Sequence, residues 1–496
     1  MASDLEPDFQ NSKMSKLQTQ HPLRVLLVHP GTQHAPRLAA TLERRGLLSR
    51  FWTGVARARD VGKGLGARGK RRVDIPREKL RTIPWVEVMA LLVARLSVNK
   101  EKLWHWRNGV FQKLIPQREI EAADVVVGFD TSAWIIGERA KRAGKKFVLD
   151  QTVGHPLSRA KAVREAGGCK EMWPEALGAR ASMVSKAESR EHELADIVVA
   201  ASSFSKKTLI ENGVPEAKIR VLPYGVGSEF VAAGAEKIRG LQDNGTKGLQ
   251  GGARGAHFDR EHFDNLKEGR PATSYSRPVT PPFRFLYAGY LTKRKGIDVL
   301  LRAWSALQNV GHGARSMELG ARKENESEAR GKGREAKGAG QEDKGNGLEA
   351  LGAGLAELRL VGGGEQPHNL PPGVVCLGQT PREALLREMS EADVFVFPSL
   401  FEGFALVILE AMAAGLPVIT TPNTAGPDLI EDGKEGLIVP AGDANALREA
   451  MQSLLHNPER ARSMGRAAHE KANEFTWERY GDRWEALVRD LCREQA

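Results

Sequence analysis

The sequence predicts an α/β protein made of two doubly wound parallel sheets. Short apolar runs rich in β-branched residues alternate with amphipathic helical stretches, as at Leu23–Val28, Asp124–Val127 and Val394–Phe397. Such runs are typical of strands buried on both faces of a parallel sheet, and the helices between them indicate βαβ units. Because the pattern begins again after a glycine-rich segment, we expect two sheets rather than one.

Eleven runs are predicted as strands. A chain of 496 residues has room for two large α/β domains, with cores that need no disulfide or metal. Ligands of doubly wound sheets bind at the carboxyl ends of the strands, so functional residues are expected there. The predicted strands are Leu23–Val28, Asp124–Val127, Lys146–Leu149, Asp196–Val199, Ile219–Leu222, Phe283–Tyr287, Leu358–Val361, Val374–Leu377, Val394–Phe397, Pro417–Thr420 and Leu437–Val439.

Cysteine usage and the N-terminal sequence indicate a cytoplasmic protein. Cys169, Cys376 and Cys492 lie far apart and form no CxxC pair, which fits a reducing compartment. Residues 1–20 are polar and lack the apolar core of a secretory signal. The sequence contains no run of about 20 apolar residues, so no membrane-spanning helix is predicted.

Two glycine-rich segments are predicted to be disordered insertions. Residues 234–273 contain eight glycines and residues 311–354 contain eleven, with scattered charges and few β-branched side chains. Such segments bury too little apolar surface to offset the entropy lost on ordering. The predicted organisation is a disordered tail at 1–20, a first domain at 21–230, a linker with the first insertion at 231–282, a second domain at 283–475 containing the second insertion, and a C-terminal helix at 476–496 that returns to the first domain.

The segment from Phe397 to Ile419 carries the strongest functional signal. A strand ends at Phe397, a tight loop follows, and a helix is predicted to start near Ala405. Glu402 lies on the loop and Glu410 about a turn and a half into the helix, whose Cβ atoms tilt toward its N-terminus. Both carboxylates can therefore reach one ligand at the helix start, where free N–H groups favour a phosphate. The spacing alone is equally compatible with a solvent-facing Glu410 and a Glu402 that interacts with the helix dipole.

A basic turn follows the first predicted strand of the second half. Lys293, Arg294 and Lys295 precede Gly296 and a helix, after a strand that ends at Gly289. Cations at the carboxyl end of a strand are suited to binding a diphosphate. For Lys293 a solvated position is the simpler interpretation.

Together these motifs resemble those of family 4 of the retaining GT-B glycosyltransferases, whose signature is two glutamates separated by seven residues. Glu402 and Glu410 match it within EGFALVILEAMAAGLPVI, and the basic turn is similar to the family's phosphate-binding loop. The resemblance implies two Rossmann-like domains that face each other across a cleft, with the acceptor on the first and a nucleotide sugar on the second. It is strong over 283–310 and 355–490, fair over 190–228 and loose over 21–190.

The resemblance also implies a role for each matching residue. Glu410 would bind the donor ribose, and Glu402 would contact the transferred sugar near its reacting carbon. Lys295 and Arg294 would neutralise the diphosphate leaving group. The rest of the donor would be held by Gly289, Phe404, Ala405 and Leu406 of the second domain, and by Gly31 and Thr32 of the loop after the first strand.

Three positions depart from the family pattern. Tyr290 stands where many members have an arginine, and Ala405 replaces the second glycine of the glutamate motif. The histidine that often follows the strand ending at Asp150 is missing, and the chain reads Asp-Gln-Thr-Val-Gly-His-Pro from Asp150 to Pro156. Either His155 or Asp150 would take the catalytic position, although a lone histidine before proline is also typical of a structural hydrogen-bonding group.

Positive charge is concentrated in one segment of the first domain. The chain has a formal net charge of +11, and residues 56–81 contain ten Lys and Arg against three Asp and Glu. The apolar stretch Trp85–Val98 follows, with Trp104 and Trp106 beyond it. Residues 56–106 therefore form either a solvated loop beside a core helix or a surface that binds an anionic membrane. No nucleic-acid recognition motif accompanies the charge, so nucleic acid is not an expected partner.

The sequence thus predicts an enzyme that moves a sugar from a nucleotide-diphosphate donor to an acceptor hydroxyl with retention of configuration. The family implies no cofactor and no metal, and the expected acceptor is a carbohydrate or a lipid-linked molecule. The expected location is the cytoplasm, with peripheral attachment to the inner face of the membrane if residues 56–106 bind lipid. The two-glutamate motif disfavours an epimerase or a phosphorylase of the same fold, and Tyr290 is the sequence support for a catalytically silent scaffold.

Overall fold

The protein is described by a computed structural model that covers most of the chain. The tail 1–20, Thr32, residues 59–71 of the basic segment and most of both glycine-rich segments lie outside the described residues. Predictions on those segments stay predictions. The described residues are 22–31, 34–58, 72–95, 100–165, 179–247, 282–308, 356–364, 366–367 and 369–493.

The strands are short and, at the centre of each sheet, wholly buried. Their apolar runs pack on both faces, as expected of parallel sheets. They are β1 (Val25–His29), β2 (Leu48–Thr53), β3 (Arg57–Ala58), β4 (Arg72–Val73), β5 (Leu80–Thr82), β6 (Val125–Phe129), β7 (Lys146–Gln151), β8 (Ile197–Ala200), β9 (Ile219–Val221), β10 (Phe283–Ala288), β11 (Ala356–Val361), β12 (Val374–Gly378), β13 (Val394–Phe397), β14 (Val418–Thr420) and β15 (Gly436–Ile438).

Helices separate most of these strands. They are α1 (Ala35–Arg44), α2 (Pro84–Ala94), α3 (Lys100–Lys113), α4 (Gln117–Glu121), α5 (Trp134–Arg142), α6 (Pro156–Glu165), α7 (Ala179–Leu194), α8 (Ser203–Glu211), α9 (Ser228–Lys247), α10 (297–308), α11 (Arg382–Glu391), α12 (Leu406–Ala413), α13 (Gly426–Leu429), α14 (Ala444–Leu455), α15 (Pro458–Ala472) and α16 (Trp477–Arg493).

Two large sheets form within the described residues. Their strand orders are β5-β2-β1-β6-β7-β8-β9 and β12-β11-β10-β13-β14-β15, while β3 and β4 make a separate pair. The pairing is parallel, with Val25 opposite Val125 in the first sheet and Phe395 opposite Val418 in the second. Each order runs outward in both directions from its first strand, β1 or β10. This doubly wound arrangement confirms the predicted fold class.

Every predicted strand is present, but the first sheet has two strands that the sequence pattern did not indicate. The strands β2 and β5 contain arginine, serine or threonine among their apolar residues and are only partly buried. They lie at one side of the sheet, where β5 is the edge strand. Mixed composition is compatible with a strand that is solvated on one side, and it weakens the apolar signal.

Contacts divide the chain into two compact units. The first lies within Met1–Leu149, Leu194–Asp196 and Gly481–Ala496. The second lies within Asp150–Glu193 and Ile197–Tyr480 and contains the whole six-stranded sheet. In the second unit the core includes stacked rings from adjacent strands of that sheet, with Tyr287 and Phe397 5.8 Å apart.

The first glycine-rich segment begins later than its glycine content indicated. Residues 234–247 were predicted to be disordered, but they continue the helix α9. Phe230, Gly234 and Ile238 recur at helical spacing, and Phe230 is fully buried. A Cβ atom on Gly234 would lie 2.0 Å from the carbonyl oxygen of Ala413, so this glycine allows two helices to approach closely. Here a glycine reflects packing rather than flexibility.

Candidate functional site

The loop after β13 and the start of α12 form the centre of the candidate site. The strands β10 and β13 are neighbours at the point where the strand order reverses, so the loops that follow them lie side by side. The strand β13 ends at Phe397 and the helix α12 begins at Leu406. Between them, Ala405 has φ 63° and ψ 69°, the left-handed conformation that favours glycine.

Glu402 lies in this loop against two cations. Its Oε1 atom is 2.5 Å from an Nη1 of Arg294 and 2.9 Å from the Nζ of Lys295. Glu402 is only 9% exposed, and the side chains of both cations are largely buried. Because one carboxylate faces two cations, the three side chains together carry a net positive charge. Such a group can accept a further anion.

The basic turn is held to the loop by backbone and side-chain hydrogen bonds. Residues Lys293–Lys295 form one turn of 3₁₀-helix, and Lys293 is exposed. The Leu400 N–H donates to the Arg294 carbonyl at 2.8 Å, and the Arg294 guanidinium donates to the Phe401 carbonyl at 2.6 Å. The positions of Arg294 and Glu402 are therefore fixed by the chain around them as well as by their charges.

Tyr287 anchors the residues between β10 and the basic turn. Its hydroxyl donates to the Tyr290 carbonyl at 2.8 Å, and the Gly289 N–H donates to the Val361 carbonyl at 2.9 Å. Burial and, to a smaller extent, the negative charge of Glu402 raise the pKa of Tyr287, so the phenol stays protonated and keeps donating. Tyr290 itself is 64% exposed, which leaves its ring accessible at the position where the resemblance would place an arginine.

Glu410 is buried on the first turns of α12 and binds an arginine that sequence reasoning did not select. Its Oε1 atom is 3.1 Å from an Nη2 of Arg382, the first residue of α11. The same guanidinium donates to Glu229 of α9 at 2.7 Å and lies 4.6 Å from the ring centre of Phe230. Arg382 therefore stands between two carboxylates, and its side chain remains 41% exposed. A polar ligand of Glu410 would also meet Arg382.

The carbonyl of Gly403 is held by two serines of the segment that starts α8. Ser202 and Ser205 both donate to this oxygen, the latter at 3.0 Å. Ser202 also accepts from the Ser205 N–H at 3.1 Å and so caps the helix. A Cβ on Gly403 would lie 2.0 Å from the carbonyl oxygen of Thr152, which explains why this position is glycine. These contacts fix the peptide that follows Glu402.

The loop after β7 contacts the same region through its backbone. A Cβ on Gly154 would lie 2.9 Å from the ring of Phe401, so the residues between Asp150 and His155 run directly along the glutamate loop. Asp150 is 1% exposed at the end of β7. The structure thus brings Glu402, Lys295 and Arg294 into direct contact, and the segment flanked by Asp150 and His155 adjoins their loop.

His155 is a buried, neutral histidine. Its backbone N–H donates to Thr208 Oγ1 at 2.9 Å, and its ring Nδ1 accepts from the Leu157 backbone N–H at 3.3 Å. Burial lowers its pKa to about 4, and the positive charge of Arg159 adds to this. At neutral pH the ring is therefore uncharged with its proton assigned to Nε2, and it can donate but cannot supply a positive charge.

The remaining predicted donor residues are Phe404 of the second unit, and Gly31 and Thr32 of the loop after β1. Phe404 is buried against Tyr224, with ring centres 5.0 Å apart, and its carbonyl accepts from the Ala425 N–H. Gly31 belongs to the first unit, where its carbonyl accepts from Thr53 at 3.2 Å. Thr32 lies outside the described residues. Among the described side chains, no three His, Cys, Asp or Glu residues are grouped so that they could hold a metal ion.

Arg382, Ser202 and Ser205 are the site residues that sequence reasoning missed. Ser202 and Ser205 lie in the Ala-Ala-Ser-Ser-Phe-Ser stretch that resembles the family, and a capping serine before a helix was a readable signal. Their contact with Gly403 spans about two hundred residues of chain and has no local signature. Arg382 is likewise an ordinary first-turn residue in the sequence, selected only by its position beside Glu410.

A family comparison covers the part of the chain that holds both glutamates. Residues 348–457 match the family model described as group 1 glycosyl transferases. This range includes Arg382, Glu402 and Glu410, but it does not include the basic turn. The match therefore covers the region of the glutamate motif and does not extend to residues 1–347.

Curated relatives match over part of their length. The chain is 34% identical over 143 residues to an exopolysaccharide phosphotransferase of Streptomyces coelicolor, which is 27% of this chain and 15% of that protein. It is 22% identical over 307 residues to the capsular polysaccharide biosynthesis glycosyltransferase CapM of Staphylococcus aureus. The aligned residues make up 60% of this chain and 62% of CapM. The chain thus spans less than two thirds of either relative.

The comparison with solved structures establishes the fold. An α,α-trehalose-phosphate synthase (UDP-forming) from Burkholderia vietnamiensis aligns with a TM-score of 0.57, covering 96% of this chain and 99% of that chain at 10% identity. At this identity the similarity concerns architecture alone. With its two doubly wound sheets the protein has the GT-B fold, as the resemblance implied.

Proposed function

We propose that the protein is a glycosyltransferase that takes a sugar from a nucleotide-diphosphate sugar and transfers it to an acceptor hydroxyl. The observation that carries the proposal is the contact of Arg294 and Lys295 with Glu402, at the start of the helix that bears Glu410. Cations for a leaving diphosphate and carboxylates for sugar and ribose hydroxyls are what such a transfer requires. The match of residues 348–457 to group 1 glycosyl transferases supports the same assignment.

The proposed donor lies across the start of α12. Its diphosphate binds Arg294 and Lys295, which now share the charge of Glu402, and the free N–H groups near Leu406 add to this anion site. Glu410 accepts hydrogen bonds from the ribose hydroxyls. Glu402, freed in part from its two cations, turns toward the sugar near the reacting carbon.

The transfer step needs stabilisation of a departing diphosphate and of an oxocarbenium-like carbon. Arg294 and Lys295 supply positive charge to the leaving oxygen without a metal, and Glu402 supplies negative charge next to the sugar. We propose that the leaving phosphate accepts the proton of the acceptor hydroxyl on the same face, so the configuration is retained. Either His155, whose ring is neutral, or Asp150 then holds a sugar hydroxyl by hydrogen bonding, and neither acts as the base.

The nucleotide and the acceptor are proposed only as classes. UDP is the first nucleotide to test, because the Burkholderia protein that shares the fold is described as UDP-forming, and GDP and ADP are tested beside it. The acceptor is a carbohydrate or a lipid-linked molecule used in polysaccharide or glycoconjugate synthesis, in line with the described role of CapM. The proposed location is the cytoplasm, with peripheral attachment to the inner face of the membrane if residues 56–106 bind lipid.

Replacing Lys295 tests the anion site with a matched control in the same turn. K295Q removes one of the two cations of the diphosphate and should reduce kcat/KM by about 100-fold, since one lost charge-stabilising donor has an effect of that order. K293Q makes the same chemical change two positions earlier in the same turn, at a residue with no assigned contact to the donor, and should keep at least half of the activity. The measurement is nucleotide-sugar consumption with and without acceptor, after calorimetric titration with UDP, GDP and ADP selects the nucleotide.

Two results would contradict the proposal. Equal activity of K295Q and K293Q would show that the basic turn does not hold the leaving group. No nucleotide binding and no consumption of any nucleotide sugar by the unmodified protein would favour the scaffold alternative instead.

A further inference from the structure

The helix α2 presents its apolar residues to solvent. Trp85, Val88, Met89, Leu91 and Leu92 are between 45% and 52% exposed. Among the described side chains of this helix, the buried ones are the small residues Val86 and Ala90. A surface helix normally places its apolar side toward the core, so this arrangement is reversed.

The exposed residues form one continuous stripe. Trp85, Val88, Met89 and Leu92 are separated by three, one and three positions, which places them on one face of an α-helix. Leu91 lies beside them. Contiguous apolar patches of this kind mark surfaces that bind something, whereas scattered apolar residues do not.

The charged residue of α2 points away from this stripe. Glu87 is 15% exposed and lies 3.3 Å from Arg107 of α3, whose side chain is 14% exposed. Burial lowers the pKa of Arg107 while Glu87 opposes that shift. The helix therefore buries its carboxylate in an ion pair and leaves its outer face without charge.

Basic residues lie at both ends of the stripe. Arg81 lies three residues before the start of α2, and the exposed Arg95 caps the helix one turn beyond Leu92. In the sequence, the segment 56–81 holds ten Lys and Arg against three Asp and Glu, although its residues 59–71 lie outside the described part of the chain. On the neighbouring helix α3, Trp106 is 45% exposed. An apolar stripe that contains a tryptophan and has an arginine before and after it in the chain is complementary to a surface with an apolar interior and anionic head groups.

We propose that α2 is an interfacial membrane helix, which binds the surface of a bilayer containing anionic lipids. With 11 residues it is about 16 Å long, too short to cross a hydrocarbon core of about 30 Å, so it lies in the plane of the interface. Trp85, Val88 and Leu92 enter the boundary between head groups and acyl chains, and the flanking arginines bind the lipid phosphates. No helix in the described ranges has the length and hydropathy needed to cross a membrane.

This assignment chooses one of the two interpretations that the sequence left open for residues 56–106. The alternative was a solvated loop next to a core helix. The exposure of five large apolar side chains does not fit a core helix. The inference does not depend on the proposed enzymatic activity, because its test measures binding alone.

Vesicle sedimentation of the full-length protein tests the proposal. We expect binding to vesicles of phosphatidylcholine with phosphatidylglycerol, weaker binding to phosphatidylcholine alone, and loss of binding as salt increases. L92S should lower the partition coefficient by about threefold to tenfold, as expected when half of a leucine side chain is no longer buried. W85S together with L92S should lower it further.

Ile210 provides the matched control. It is 38% exposed on α8 of the second unit, so I210S removes an apolar surface residue that is not part of α2 and should leave the partition coefficient unchanged. Circular dichroism and the thermal midpoint confirm that each variant is folded. Three results would overturn the proposal: no binding to anionic vesicles, equal loss in I210S and L92S, or a wild-type dimer in light scattering that L92S converts to a monomer, which would identify a second copy as the occupant.

Discussion

The helices α2 and α12 have nearly the same composition and opposite surroundings. Each is almost entirely apolar and has one glutamate that lies next to an arginine, Glu87 with Arg107 and Glu410 with Arg382. From Ile408 to Ala413 the apolar residues of α12 are packed in the core of the second unit, whereas five large apolar residues of α2 are about half exposed. The glutamate of α12 faces a partly exposed arginine, whereas both members of the pair on α2 are shielded.

The difference teaches that the position of the charge decides what such a helix does. In α12 the apolar face is buried and the carboxylate is left beside an accessible arginine, where a polar ligand can reach it. In α2 both the carboxylate and its arginine are shielded, and the apolar face is left for a partner. Composition is the same in both cases, so hydropathy alone cannot separate a site helix from a binding surface.

The largest expected contrast is in packing. I408A removes most of a fully buried side chain in α12 and should lower the free energy of unfolding by roughly 2–5 kcal/mol. L92A, at a residue 50% exposed in α2, should change it by less than about 1 kcal/mol. Urea unfolding monitored by circular dichroism measures both. A cost for L92A as large as that for I408A would mean that α2 is a core helix in solution.

The next contrast concerns the two glutamates. E87Q leaves Arg107 without its counter-ion in a shielded position and should cost roughly 2–4 kcal/mol of stability, with little effect on turnover by the folded protein. E410Q leaves the more exposed Arg382 and should cost about 1 kcal/mol or less, while kcat/KM falls by about 100-fold. Unfolding midpoints and initial rates distinguish the two. The comparison fails if E87Q abolishes turnover at full stability, or if E410Q keeps wild-type turnover.

The smallest effect is at the start of α12. Ala405 has a positive φ, so A405G should relieve backbone strain and raise stability by about 0.5–1 kcal/mol. A413G makes the same change at the last residue of this helix and should lower stability by about 1 kcal/mol. Thermal midpoints give both signs. A lower midpoint for A405G would indicate that the alanine methyl group makes a packing contact worth more than the strain.

Much of the fold could be predicted because its signals are local. The apolar runs at Val125–Phe129 and Val394–Phe397 indicate buried strands without any tertiary information. The strand β2 was not predicted, since Ser49 and Arg50 break its apolar pattern. The helical part of 234–247 was misassigned because glycine was counted as a sign of flexibility, while Gly234 is selected by contact with Ala413.

The candidate site was predictable only in part. Glu402, Glu410 and the basic turn could be named because they follow strands and keep a fixed spacing. Arg382 and the serines that hold Gly403 could not, because each meets the site from a distant part of the sequence. The neutral state of His155 also depends on burial, which its sequence neighbours do not reveal.

The sequence by itself determined the doubly wound architecture, the glutamate motif and the concentration of positive charge at 56–81. These follow from periodicity, spacing and composition, which a chain carries without folding. Only the tertiary structure decided that Arg294 and Lys295 share Glu402, that Arg382 lies beside Glu410, and that α2 turns its apolar face outward. The physical reason is that burial and pairing depend on residues distant in the chain, and these meet only when the sheets are assembled.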